Sequence, residues 1–212
     1  MTPDRPSSPK RRSRRADWRA AELIALDFET TGLDLDRDEV ISFGMIPIRD
    51  GRIDLSGQLY QEVAPGVGPS QSSIRIHHLR AQDLATAPAM HEVVDAFRHA
   101  LDGRFVLAWA AGVEIAFLQK VFGGGKRAWR RRTIDVRTLI MAVERPDDGA
   151  SRGPGYYALT AAATRFGVPV EEAHHALDDA FMTAELFLVA AAGLERLGSH
   201  SIRELLRITA RG

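Results

Sequence analysis

The first chemistry in the chain lies in Leu23-Ile24-Ala25-Leu26-Asp27-Phe28-Glu29-Thr30-Thr31-Gly32-Leu33. Four apolar residues have the character of a buried strand, and two carboxylates interrupt it at Asp27 and Glu29. Strand side chains alternate with period two, so both acids face the same way. Like charges at that distance must shift their protonation or find a cation. A hard divalent ion suits the pair, because Mg²⁺ takes oxygens from one or two carboxylates and from substrate phosphates. Thr30-Thr31-Gly32 then supplies a turn that brings backbone close to a ligand. Taken alone, Asp-x-Glu has a second reading: two solvated acids at a strand end before a loop.

The second such stretch is Ala173 to Leu188, A-H-H-A-L-D-D-A-F-M-T-A-E-L-F-L. Ala180, Phe181, Ala184 and Leu188 form the packing face of a helix. Asp178 and Asp179 fall in its first turns, where the helix dipole favours negative charge. His174 stands five residues before Asp179, about 1.4 turns. The two converge only if His174 lies in an irregular lead-in, from which it would approach a site on a loop. By itself this stretch also reads as surface histidines ahead of a helix cap.

The elements that must position these residues follow in order. The first strand runs from about Glu22 to Glu29, and the acids of the polar loop Asp34 to Glu39 read as solvated. Val40 to Ile48 is a strand, Arg49-Asp50-Gly51 a hairpin turn, and Arg52 to Val63 its antiparallel partner. After a Pro/Gly loop, residues 64–70, Ala89 to Leu101 carries apolar residues at helical spacing. Arg104 to Ala111 is a strand and Val113 to Phe122 a helix, stopped by Gly123-Gly124-Gly125. Lys126 to Arg132 packs basic residues around Trp129; it reads equally as a nucleic-acid track or a solvated loop. A short strand over Thr133 to Val136 leads into a helix through Glu144, and Arg145 to Gly155 is a loop. Helices over Tyr156 to Phe166, Ala176 to Ala192 and Ser201 to Ile208 complete the chain. Early strands followed by alternating helices and strands predict an α/β fold with a mixed sheet.

A chain of 212 residues is long enough for one sizeable core. It has no cysteine, which excludes disulfides, a thiol nucleophile and a Cys-ligated zinc. Lys+Arg and Asp+Glu both number 28, so no bulk positive field argues for nucleic acid. The basic, Pro- and Ser-rich head reads as a disordered tail over residues 1–20, solvated or loosely holding phosphates. The division expected is a folded domain over 21–195 and a C-terminal helical extension over 196–212. No apolar segment follows the head and no stretch is long enough for a membrane span, so a cytoplasmic, membrane-free protein is expected.

Asp-x-Glu-Thr-Thr-Gly on the first strand and His-x-x-x-x-Asp before a late helix together resemble the DEDDh branch of the DnaQ-like 3′–5′ exonucleases. The resemblance runs from about Leu23 to Leu188 and takes in Ile76-His77-His78-Leu79 and Leu107 to Leu118 in matching order. It implies an α/β, ribonuclease-H-like fold, a five-stranded mixed sheet with helices on both faces. It implies two Mg²⁺ or Mn²⁺ ions held by Asp27, Glu29, Asp179 and Glu114, with His174 taking a proton from the attacking water. It implies a single-stranded nucleic-acid 3′ end as substrate, met by Thr30, Thr31, Gly32, Leu33 and His77, and a DNA polymerase as partner. The middle motif departs from the family, since Trp109-Ala110 replace His-Asn and Glu114 stands where Asp is expected. Glu114 therefore reads as a surrogate acid or as an ordinary first-turn helix acid. Trp109 reads as a base-stacking face or as core. The same departure leaves open a non-catalytic member that binds nucleic acid or docks on a polymerase.

Overall fold

The run Leu23–Leu26 forms the first half of β1 (Leu23–Thr30), the strand around which the sheet is built. The computed structural model describes residues 3–10, 14–144, 152–153, 155–170 and 174–210. The Arg145 to Gly155 loop therefore lies mostly outside the described residues, as do residues 171–173 ahead of His174. β2 (Val40–Arg49) runs antiparallel to β1, pairing Leu23 with Ile48, Ala25 with Ile46, Asp27 with Gly44 and Glu29 with Ser42. Asp50 and Gly51, both at positive φ, turn the chain into β3 (Arg52–Ile53). A 3-10 turn over Leu55–Gly57 then breaks the edge before β4 (Leu59–Glu62) resumes pairing with β2. The expected single strand Arg52 to Val63 is thus split. The Asp54 side chain accepts from Ser56 N and Oγ, a local bond that competes with the ladder. β5 (Phe105–Ala108) and β6 (Thr133–Asp135) extend the sheet in parallel on the other side of β1. With β3 and β4 taken as one interrupted edge, the mixed sheet has five positions.

α1 (Gln71–His77), a helix absent from the sequence reading, starts at Ser70 and stops at His78, whose φ is +61°. Ile24, Leu26 and Phe28 of β1 point to the face covered by α2 (Met90–Leu101) and α3 (Gly112–Phe122), against Phe97, Phe117 and Phe122. The short α4 (Lys126–Arg130) closes that layer with Trp129, so most of the basic stretch Lys126 to Arg132 is helix over a buried indole. Leu23 and Ala25 point to the opposite face. There α5 (Val136–Glu144), α6 (Leu159–Phe166), α7 (Ala176–Arg196) and α8 (Ile202–Thr209) complete the core. By strand period Asp27 and Glu29 belong to this second face, where α7 begins.

The head, expected to be solvated, is tied to the domain within residues 3–10 and 14–20. Trp18 is buried edge-on against Phe187 of α7 at 5.7 Å. The buried Arg132 guanidinium donates to the carbonyls of Pro6, Ser7, Leu101 and Arg104. A buried cation needs those acceptors, and the head supplies two of them. α8 is equally integral, with Ile202 and Leu205 in the core. Among the described residues no helix is long and apolar enough to cross a membrane.

Candidate active site

β1 changes from apolar to acidic at Asp27, and its partner strand changes with it. Gly44 lies opposite Asp27, and a Cβ there would stand 2.2 Å from the carbonyl oxygen of Ala176. The missing side chain lets the first turn of α7 rest directly on β2. Asp179 sits in that turn, its N–H donating to the carbonyl of His175 at 3.0 Å. The register also skips Ile41 between Glu29 and Thr30, a bulge that re-aims the strand end beside the acids.

These constraints bring Asp27, Glu29 and Asp179 together, with one carboxylate oxygen from each lying within 4.8 Å of the others. The triad is electrostatically loaded. Burial, then the charges of Glu114, Asp179 and Glu29, push Asp27 well above the usual carboxylate range. Burial and the Asp179 charge push Glu29 up to about 8. Burial raises Asp179 to about 6, opposed by the nearby His174. Asp179 Oδ1 is buried without a hydrogen-bond partner. Three crowded carboxylates, desolvated and short of donors, are the donor set a hard divalent cation takes.

Glu114 lies outside the 4.8 Å group but close enough for its charge to act on Asp27. It sits in the first turn of α3 yet is only 5% exposed, and its Oε2 has no partner. Burial raises its carboxyl, and the Asp135 charge adds to this. Asp135, at the end of β6, holds that helix start in place. Its Oδ2 accepts from Ala111 N at 3.1 Å and its Oδ1 from Thr138 N at 3.1 Å. His174 is exposed, with φ +68°, and its backbone N–H donates to Asp179 Oδ2 at 3.3 Å. Its irregular lead-in is therefore real, and the imidazole stands at the rim of the acids.

The residues expected to meet substrate begin at the end of β1, directly after the acids. Thr30 Oγ1 donates to the Gly32 carbonyl at 2.8 Å, and Thr31 Oγ1 donates to Asp38 Oδ1 at 2.9 Å. Asp38 also accepts from Asp34 N, and Glu39 Oε2 accepts from Gly66 N. These two loop acids, read as solvated from sequence, fix the turn, and Gly32 leaves room for the Asp38 carboxylate. Leu33 is left 73% exposed. His77 is buried, its Nδ1 accepting from Leu79 N at 3.1 Å. Burial holds its imidazole below the ordinary value, and the His174 charge reaches it too. Trp109 is half-buried against the core with its indole N–H on the Tyr157 carbonyl at 3.2 Å.

Sequence reasoning missed three residues of this region. Gly44 carried a signal, a glycine inside an apolar strand. So did Asp135, an acid just before a helix. Tyr60, stacked on His175 at 4.5 Å and within reach of the Glu29 charge, gave none.

Comparison with known proteins bears on the family and the fold. The model of the RNase_T exonuclease family matches residues 24–187. The chain is 27% identical over 182 residues to the DNA polymerase III subunit epsilon of Treponema pallidum, covering 85% of this chain and 81% of that one. It is 29% identical over 189 residues to the PolC-type DNA polymerase III of Thermotoga petrophila, covering 87% of this chain but spanning only 13% of that protein. Among solved structures, E. coli Exonuclease I in complex with a dT13 oligonucleotide superposes with a TM-score of 0.71 at 14% identity, over 84% of this chain and 42% of that one. Exonuclease X in complex with 5′ overhanging duplex DNA gives 0.63 at 19% identity, over 88% and 99%. The chain belongs to the RNase_T exonuclease family and has the ribonuclease-H-like fold of the DnaQ-like nucleases it resembles.

Proposed function

We propose that the enzyme is a metal-dependent 3′–5′ exonuclease that removes nucleoside 5′-monophosphates from single-stranded DNA ends and tolerates RNA. The observation that carries this reading is the convergence of Asp27, Glu29 and Asp179 within 4.8 Å from opposite ends of the domain. In this reading Asp27 would help to hold each of two Mg²⁺ or Mn²⁺ ions. Glu29 and Asp179 would complete the holding of one, and Glu114 would support the other through water. Divalent ions, when bound there, stabilise charge on the attacking and leaving oxygens of an in-line displacement. His174 takes a proton from the attacking water at a ring nitrogen, acting as the general base. The water oxygen bonds to phosphorus as the bond to the 3′-oxygen of the remaining strand breaks. Thr30, Thr31 and Gly32 offer a fixed backbone edge to the terminal nucleotide, and Leu33, Trp109 and His77 bound its base and sugar. The dT13 bound to E. coli Exonuclease I supports a single strand as substrate, and the names of the replication relatives support a polymerase partner.

A 5′-labelled oligonucleotide incubated with Mg²⁺ or Mn²⁺ should shorten from its 3′ end. Asp27→Ala should abolish shortening with the fold retained, and His174→Ala should lower kcat by about 10²–10⁴-fold with metal affinity kept. No shortening at any protein concentration refutes the reading. A second reading, a non-catalytic nucleic-acid or polymerase-docking module, is favoured by Glu114 and by Trp109-Ala110 in place of the family residues. Calorimetric Mn²⁺ binding that depends on Asp27 separates the two.

A further inference from the structure

At the first turn of α3, beside the edge strand β6, lies a cavity of about 350 Å³. Arg130 from the end of α4 and Arg137 from the first turn of α5 both line it. Both are exposed, and among the described residues neither has a hydrogen-bond or ion-pair partner. The N-terminal turns of α3 and α5, at Gly112 and Thr138, open onto the same space. Thr133 lines it as well, 3% exposed, with an Oγ1 that bonds to nothing. Asp135 is the one acid in the wall, and both its oxygens are spent on the Ala111 and Thr138 backbone amides. Two unpaired guanidiniums and an unbonded hydroxyl make an anion cradle, beside helix starts that Asp135 already caps.

We infer that this cavity binds an internal backbone phosphate of the nucleic-acid strand whose 3′ end reaches the acids. The inference rests on the proposed exonuclease reading. Glu114 and Gly112 flank the same helical turn, so the cradle and the acids are separated by about one helix diameter, on the order of 10 Å. That is a span of one or two nucleotides along an extended strand. The cradle also gives part of the basic stretch around Trp129 a stated ligand.

The test is anisotropy of a fluorescein-labelled single strand of about a dozen nucleotides, in Ca²⁺ in place of Mg²⁺, across a salt series. The variants are Arg130→Gln/Arg137→Gln and, separately, Thr133→Val, each checked for native circular dichroism. The double variant should reduce the slope of log K against log salt by about 0.7, the value of one lost phosphate contact on a single strand. It should bind about tenfold more weakly at low salt, and Thr133→Val should weaken binding in the same direction. In turnover, KM for the long strand should rise more than KM for a dinucleotide. An unchanged slope overturns the inference even if the enzyme cleaves DNA. A reduced slope without any cleavage leaves the cradle standing and removes the exonuclease reading. Absence of oligonucleotide binding by the wild type overturns the cradle. So does stabilisation by inorganic phosphate that the double variant loses while its oligonucleotide slope stays intact, which would mark a free-anion site.

Discussion

Glu29→Gln should make the metal-free enzyme more stable at pH 8. Glu29 ionises in the unfolded chain near 4.5, but burial and the Asp179 charge push it up to about 8 in the fold. Between those values the folded state holds a proton that the unfolded chain has released. Stability rises with pH only where the unfolded state binds more protons, so here it falls from pH 4.5 towards pH 8. Each tenfold change in proton concentration is worth about 1.4 kcal/mol, so the full shift sets a ceiling of about 4 kcal/mol at pH 8. Solvent relaxation around the partly open site brings the expected loss to about 2–4 kcal/mol. Gln keeps the shape and cannot ionise, so the loss disappears. For a chain of this length, that is a gain of roughly 5–10 °C in Tm at pH 8 and almost none at pH 5. The assay is thermal unfolding by circular dichroism in EDTA at both values, then with Mn²⁺. Mn²⁺ at a thousandfold excess over Kd should reverse the order, because wild type then gains about 4.1 kcal/mol and the variant binds the ion poorly. A metal-free variant at pH 8 no more stable than wild type refutes the account of a strained acidic cluster.

Two further substitutions test the scaffold. Gly44→Ala forces a Cβ into the Ala176 carbonyl, so it should cost about 1–3 kcal/mol and weaken Mn²⁺ binding by displacing Asp179, read by Tm and calorimetry. Unchanged values for both would mean that α7 does not depend on that close approach. Arg132→Leu removes a donor from four carbonyls, of which those of Ser7 and Leu101 keep backbone N–H partners, and should cost about 2–4 kcal/mol in urea unfolding. Deleting residues 1–10 should cost less, and the two losses should be sub-additive, since they share the same hydrogen bonds; strict additivity would refute the clasp.

Much of this was legible because it follows from periodicity. The alternation that put Asp27 and Glu29 on one side of β1 also fixes the face on which α7 lies. The irregular lead-in demanded by the His174 spacing is the positive φ and the bond to Asp179. What was not legible depends on long-range partners. Nothing near Pro6 or Ser7 announces that their carbonyls satisfy Arg132, so the head read as solvent-loving composition. Asp38 reads as one more loop acid until the Thr31 hydroxyl and the Asp34 amide are seen to converge on it. The 3-10 turn at Leu55 is local in cause, but a single Asp-to-Ser bond is too common a pattern to break a predicted strand.

Glu114 bears most directly on catalysis against mere docking. An ordinary first-turn helix acid stays in water, where the dipole favours it at no desolvation cost. This one is buried, leaves Oε2 unbonded and raises the pKa of Asp27. Burying an unpaired carboxylate beside another is among the more unfavourable choices a core can hold. Packing does not require it, because glutamine would fill the same volume without the charge. Asp135 pins the start of α3 to β6, so the helix cannot simply swing the acid out into solvent. The added methylene, compared with aspartate, extends the carboxylate from that pinned turn towards Asp27. A docking module gains nothing from such an arrangement and would be more stable without it. A site that takes up cations recovers the cost each time one binds, and that asymmetry is the physical case for reading Glu114 as part of the metal-holding set.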